Sequence, residues 1–246
     1  MKRFKADLHI HSVLSPCAAG DMTPANIIFH AEQCGLDIIA LTDHNACDNV
    51  PAIIEAAKNS KIIVIPGMEV ETQEEIHVIV LFETLAKLNL WENYVQRFHC
   101  GLLNDERRFG PQFIVDANGD FINIKAEMLL APLKCPLAKV VSTVESLGGI
   151  CIASHIDRPS YSVISQLGFI PSDVKFNAVE VSRRMKIIDA AKTISSIGNS
   201  TIVTSSDAHT ISDLISGPHT CFELKEPSFS EICMALAGEG FRRVVL

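Results

Sequence analysis

Long apolar runs are missing from this chain of 246 residues; its longest, such as Ile62 to Pro66 and Val78 to Phe82, have the length of strands. That is far short of the roughly 20 residues a membrane-spanning helix needs, so no membrane partner is expected. No CxxC pair occurs among the eight cysteines, at 17, 34, 47, 100, 135, 151, 221 and 233. Neither a zinc ribbon nor a disulfide scaffold is indicated, and most of these thiols read as small buried hydrophobes in a reducing compartment. Positive charge is also scarce: 21 Lys and Arg stand against 29 Asp and Glu, a net charge of −8. With no basic stripe interleaved with aromatics, long nucleic acid is not the expected partner. Asp7 interrupts the start before an apolar h-region can form, so no signal peptide is expected and the expected location is cytoplasmic. No repeat, low-complexity tract or linker divides the chain.

What is present is a 48% hydrophobic composition and an alternation of strand-like and helix-like segments. Strands are read at 4–10, 37–42, 61–66 running on to Glu69, 76–82, 150–154, 177–181 and 201–205, with helices at 24–35, 50–58, 137–147, 186–195 and 228–238. Such units predict a parallel sheet with helices outside. The unbroken runs Ile38-Ile39-Ala40-Leu41 and Ile62-Ile63-Val64-Ile65 predict strands covered on both faces, favouring an α/β barrel. Thr23-Pro24 and Gly35 punctuate the first helix. The segment at about 84–136 breaks the rhythm: Leu85, Leu88, Trp91, Val95 and Phe98 fall at helical spacing, followed by a hairpin about Asn118-Gly119. It is read as an insertion capping the mouth of a single barrel domain spanning 1–246.

The chemistry starts with Asp7-Leu8-His9-Ile10-His11, where alternate positions of an extended chain put two imidazoles on one face. Alone, such a pair also suits an ordinary half-exposed strand. Later apolar runs end on Asp43-His44, Glu69, His155, and Asp207 with His209, while His77 opens the run Ile76-His77-Val78. Each has a plain alternative: Asp43 as a helix cap or turn residue, His77, His155 and His209 as core histidines with satisfied hydrogen bonds, Glu69 as a solvated carboxylate. Together they exceed what those alternatives supply, and burying so many charges without a cation is costly. An imidazole and carboxylate set suits Zn, Mn or Fe, and seven or eight ligands imply two or three divalent metal ions, with Glu69 able to bridge. Part of the net negative charge then belongs to metal ligands.

Asp7-Leu8-His9-Ile10-His11-Ser12, Leu41-Thr42-Asp43-His44-Asn45, Gly67-Met68-Glu69, His77, Ala153-Ser154-His155 and Ser206-Asp207-Ala208-His209 resemble the ordered motifs of the PHP (polymerase and histidinol phosphatase) family. The resemblance runs from Asp7 to about His209 and implies a distorted (β/α)7 TIM-like barrel with a trinuclear centre hydrolysing phosphoesters. It also implies that His9, His11, Glu69 and Asp207 hold one metal, that Glu69 bridges to a second held by His77 and His155, and that His44 and His209 belong to a third. Where the family often has Asp or His after the first motif, this chain has Ser15-Pro16-Cys17. Cys17 is either a thiolate ligand of the third metal or a buried thiol beside a weak site.

The function expected is therefore a metal-dependent phosphoesterase, in which Glu69, Asp207 and His209 serve the chemistry on a small phosphorylated metabolite or nucleotide. Arg158 and Arg183 sit just past strands where they can grip phosphate, or they are ordinary surface arginines. The alternatives are an exonuclease on short oligonucleotides, supported by Arg107-Arg108, and a non-catalytic metal-binding or regulatory module. An amidohydrolase-type enzyme would commonly want a lysine where this chain has Glu69.

Overall fold

The computed structural model describes residues 1–185, 189–190 and 197–245. Its strands are β1 (Lys2–Ile10), β2 (Ile38–Leu41), β3 (Ile63–Glu71), β4 (His77–Leu81), β5 (Phe113–Val115), β6 (Phe121–Ile124), β7 (Ile150–Ala153), β8 (Ala178–Glu180), β9 (Ile202–Val203), β10 (Thr220–Leu224) and β11 (Arg243–Val245). Nine of them form one sheet in the order β11-β10-β1-β2-β3-β4-β7-β8-β9, and β5 and β6 make a separate hairpin. The sheet is a nearly closed, TIM-like barrel, as the sequence implied. Across its seam, Ile10 bridges Ala208, and the His11 amide donates to the Ala208 carbonyl at 3.0 Å.

The sheet is not parallel throughout. β4 runs against both β3 and β7, and β10 runs against β1 and β11. The β3–β4 connection spans only residues 72–76, which a hairpin can use and a parallel crossover cannot. Helix α1 (Pro24–Gln33) starts after Thr23 with proline in its first turn. It ends in a Schellman arrangement, with the Leu36 amide on the Ala31 carbonyl and Gly35 at φ +66°. The expected helix at 186–195 lies almost wholly outside the described residues.

Strand side chains alternate between two apolar layers. Ile39, Leu41, Met68, Val78, Val80 and Cys151 pack with helical residues such as Ile27 and Val140. Leu8, Ile38, Ile65, Ile79, Ile152, Ala178 and Phe222 form the other layer, joined by Phe229 and Ile232 from helix Phe229–Ala237. By period two, Glu69 shares its face with Ile65, His77 with Ile79, and Glu180 with Ala178. The polar centre therefore lies on this second apolar layer, at the end where the parallel strands finish.

Within 84–136, helix Leu85–Val95 buries Leu88, Trp91 and Val95, and the β5–β6 hairpin closes through Asp116, whose carboxylate accepts from the Asn118 and Asp120 amides. The segment is tied to the loops after β1 and β2. Phe113 donates to the Val13 carbonyl, Asn49 bonds both Phe113 and Val115, and Asn45 donates to the Leu129 and Ala131 carbonyls.

Candidate metal centre

Every parallel strand that meets the centre delivers its polar residue at its C-terminal end. His9 and His11 close β1, Asp43 and His44 follow β2, Glu69 lies near the end of β3, His155 follows β7, Glu180 ends β8, and Asp207 with His209 follow β9. His77 is the first residue of β4, and because β4 is antiparallel its start meets the same rim. Loop backbones there adopt conformations rare for side-chain-bearing residues: φ is +49° at Asn45, +27° at His155 and +50° at Asp207. Strain of this kind persists where surrounding contacts over-determine it, as at functional sites.

Glu69 is the hub. Its Oε1 lies 3.1 Å from His9 Nε2, 3.2 Å from His77 Nδ1 and 3.4 Å from His155 Nε2, and its Oε2 lies 3.1 Å from His44 Nδ1 and 3.6 Å from His11 Nε2. Asp207 Oδ1 is 3.5 Å from Nε2 of both His9 and His11 and 3.6 Å from His209 Nδ1. Three overlapping trios, His9/His11/Glu69, His44/Glu69/His77 and His11/His44/His209, each bring their donor atoms within 4.8 Å of one another. His9 Nε2, His11 Nε2, His77 Nδ1, His155 Nε2 and both Glu69 oxygens are buried without a hydrogen-bond partner. Such atoms are costly to leave bare, and they converge on shared space, so this donor set fits divalent cations.

The neighbours of the imidazoles fix which nitrogen faces inward. His9 Nδ1 lies 3.1 and 3.2 Å from the two Glu180 carboxylate oxygens, which accept, so Nδ1 carries a proton and Nε2 is the nitrogen that faces the cluster. Ser15 Oγ donates to Asp43 Oδ1 at 2.7 Å and therefore receives His11 Nδ1–H at 3.1 Å, leaving His11 Nε2 inward. The Asp207 carbonyl accepts from His209 Nδ1 at 2.9 Å. Outer partners that orient ligand histidines in this way are characteristic of metal sites.

Charge follows the same geometry. Burial would depress the His9 imidazole, but the Glu69, Glu180 and Asp207 carboxylates hold its pKa well above the ordinary value. Burial works against His77 and His44 too, yet Glu69 raises His77, while Cys17 and Glu69 raise His44. His11 goes the other way, held well below its usual value by burial and by His209 and His44. Burial opposes ionisation of Glu69 and Asp207, but the surrounding histidines keep both well below the carboxylate range. The bare site thus draws protons onto imidazoles where cations would sit, and a metal would displace them.

Cys17 is exposed, not buried; desolvation works to raise its thiol, but the neighbouring His209 and His44 together bring its pKa down to about 6. It lines a cavity of about 240 Å³ over the cluster, together with Glu71, Leu130, Arg158 and Tyr161. Arg158 donates to Asp207 Oδ2 at 2.7 Å and also lines a neighbouring cavity of about 120 Å³ with Arg183, Arg184 and Ser182. Arg183 is paired with Asp213 at 2.5 Å, and both line that neighbouring cavity with Asp207 and His209.

Sequence reading gave Glu180 and Asp7 no role of their own and left Asp43 between a site residue and a cap or turn. Glu180, buried in Ala178-Val179-Glu180-Val181, carried one signal, a lone carboxylate inside an apolar strand. Asp43 does not cap a helix. Its oxygens accept from Ser12 N, Ser12 Oγ and Ser15 Oγ, each at 2.7 Å, locking the loop after β1 to the end of β2. Asp7, fully buried, accepts from the His9 and Ser206 amides, and burial pushes its pKa up to about 7 against those bonds.

Residues 7–163, more than half of the chain, match the PHP domain family. The chain belongs to that family. Its fold is similar to the lesion-specific endonuclease PfuEndoQ from Pyrococcus furiosus, with a TM-score of 0.79 at 20% identity over 100% of this chain and 58% of that one. A structure of endonuclease Q with a 27-mer duplex carrying an abasic lesion gives a TM-score of 0.77 at 20% identity, covering 98% of this chain and 58% of that one. A 5'-3' exoribonuclease of Haemophilus influenzae is 34% identical over 80 residues, 31% of this chain and 28% of that protein. The chain thus spans little more than half the length of these two endonuclease structures and under a third of this curated relative.

One expectation is corrected. A small phosphorylated partner, with long nucleic acid set aside, is overturned by relatives that are a DNA endonuclease and an exoribonuclease. Net charge is a weak guide to the partner because several carboxylates do not face solvent: Asp7, Asp43, Glu69, Glu71, Glu180 and Glu231 are buried. Charge turned inward does not set the field that a phosphate backbone meets. Among the described residues no helix is long and apolar enough to cross a membrane.

Proposed function

We propose that this chain is a metal-dependent phosphodiesterase that cleaves nucleic acid strands. The observation that carries the reading is the pair of adjoining cavities. The one over the histidine and carboxylate cluster shares Arg158, Asp207 and His209 with a second that adds Arg183 and Arg184. Two neighbouring places for phosphate suit a strand better than a monoester. The relatives named above support the same substrate class.

In this reading His9, His11, Glu69 and Asp207 hold one cation, Glu69 bridges to a second with His77 and His155, and His44, His209 and Cys17 serve a third. Zn, Mn or Fe suits so many imidazoles. When bound, the metals supply a nucleophile at neutral pH and neutralise charge on the phosphate oxygens. Arg158, held by Asp207 at the junction of the cavities, orients the scissile phosphate. His209, with its Nδ1 proton committed to the Asp207 carbonyl, has Nε2 left as the atom that would hold the third cation. The segment at 84–136, hydrogen-bonded to the loops after β1 and β2, is the proposed cap over the mouth of a single barrel domain.

End-labelled RNA and DNA 20-mers, incubated with chelator-free protein and Mn²⁺, test the proposal. Fragments that vanish with chelation and in His9→Ala support it. Intact strands alongside turnover of a phosphate monoester would sink it.

A further inference from the structure

We infer that Tyr161, with Leu130, forms a nucleobase-stacking subsite at the rim of the metal cavity. It seats the base of a nucleotide next to the scissile phosphate; this rests on the nucleic acid reading above. All other residues lining that cavity are polar, charged or thiol-bearing, so these two side chains are its carbon surface. Tyr161 is 44% exposed although large and aromatic. Its ring lies nearly parallel to His77, 4.8 Å between centroids at 22°, so one face is covered by a residue of the metal cluster.

The backbone holds the ring there at a cost. Tyr161 has φ +58°, a left-handed conformation that aromatic residues rarely adopt. Two clamps keep it. The His77 amide donates to the Tyr161 carbonyl at 2.8 Å, and the next residue, Ser162, caps helix Val163–Leu167 while its hydroxyl donates to the Arg158 carbonyl at 2.8 Å. A side chain wanted only for packing would be buried in a relaxed conformation; this one is strained and left open. The same short segment, 158–161, therefore presents a guanidinium for phosphate and an aromatic face beside it. Stacking is indifferent to base identity, since every base has a π-face, so the subsite favours nucleotides without reading sequence.

The test is steady-state cleavage of two strands by chelator-free protein. One is an ordinary oligonucleotide, and in the other the residues flanking the scissile linkage carry abasic tetrahydrofuran units. Tyr161→Ala is expected to raise KM for the ordinary strand by roughly 5- to 150-fold, the loss falling on KM rather than kcat. Tyr161→Phe, which keeps the ring, restores KM. On the abasic strand wild type and Tyr161→Ala should have the same KM. An unchanged KM in Tyr161→Ala, or an equal loss on both strands, overturns the subsite while leaving the nuclease reading intact. Wild-type protein that cleaves neither strand overturns both. If Tyr161→Ala does not fold, Tyr161→Asn, whose side chain tolerates φ +58°, carries the same comparison.

Discussion

Glu180 shows how much of a metal site is decided one atom away from the ligands. Its carboxylate takes the Nδ1 proton of His9 and also the backbone amide of His155 at 3.1 Å, so it positions a histidine from β1 and the strained loop after β7 together. Glu180→Gln keeps the shape but loses the charge and one acceptor, and the amide it gains can present N–H to His9 and allow the wrong tautomer. Metal affinity, measured by competition with a chromophoric chelator, is expected to fall about 10- to 100-fold. The Co²⁺ absorption spectrum should change with it. Wild-type affinity and spectrum would show that Glu180 merely fills space. The strand-end pattern found His9, His11, Glu69, His77, His155, Asp207 and His209 because each lies at an interruption of an apolar run, and all meet in one cluster. Glu180, Tyr161 and the Ser12–Ser15–Asp43 network escaped because serine and tyrosine carry no such signal, and one carboxylate in a strand is ambiguous.

At the scale of elements, β4 and the 84–136 segment matter most. An antiparallel β4 gives His77 its place, since a parallel strand would have carried its first residue to the opposite rim. That segment depends on Asn49, fully buried, whose side-chain amide bonds Ser12 Oγ, the Phe113 carbonyl and the Val115 amide, each at 3.0 Å. Asn49→Ala strands those groups. Amide exchange at Val115 is expected to accelerate about 10- to 100-fold, while β2 and β7 keep their protection. Hydrogen exchange read by mass spectrometry checks this, and uniform loosening of the barrel would show that the segment is not a separable unit. Its helix was legible from the spacing of Leu88, Trp91 and Val95, its hairpin from Asn118-Gly119. Its anchoring was not, because Asn49 bonds residues more than 60 positions away.

For the whole molecule, the energetic centre is a set of buried, partly unpaired polar atoms where strands from across the sheet converge. Cations that bind the folded chain alone should stabilise it strongly. A divalent ion at about 100 times its Kd contributes about 2.7 kcal/mol, which for a chain of this length raises Tm by about 5–10 °C. Calorimetry with and without Mn²⁺ or Zn²⁺ measures it, with Glu69→Ala as control. A Tm unmoved by either ion would mean that the cluster holds no metal.

The order of apolar runs and of the polar residues at their ends determined the barrel class and the ligand candidates, because strand burial and ligand chemistry both act on residue type at fixed spacing. Folding alone decided the direction of β4, the tautomers set by Glu180 and Ser15, and the exposure of Cys17 and Tyr161. It also decided that so many carboxylates face inward, which is why net charge was a poor guide to the partner. These depend on contacts between residues far apart in the chain, where local composition carries no information.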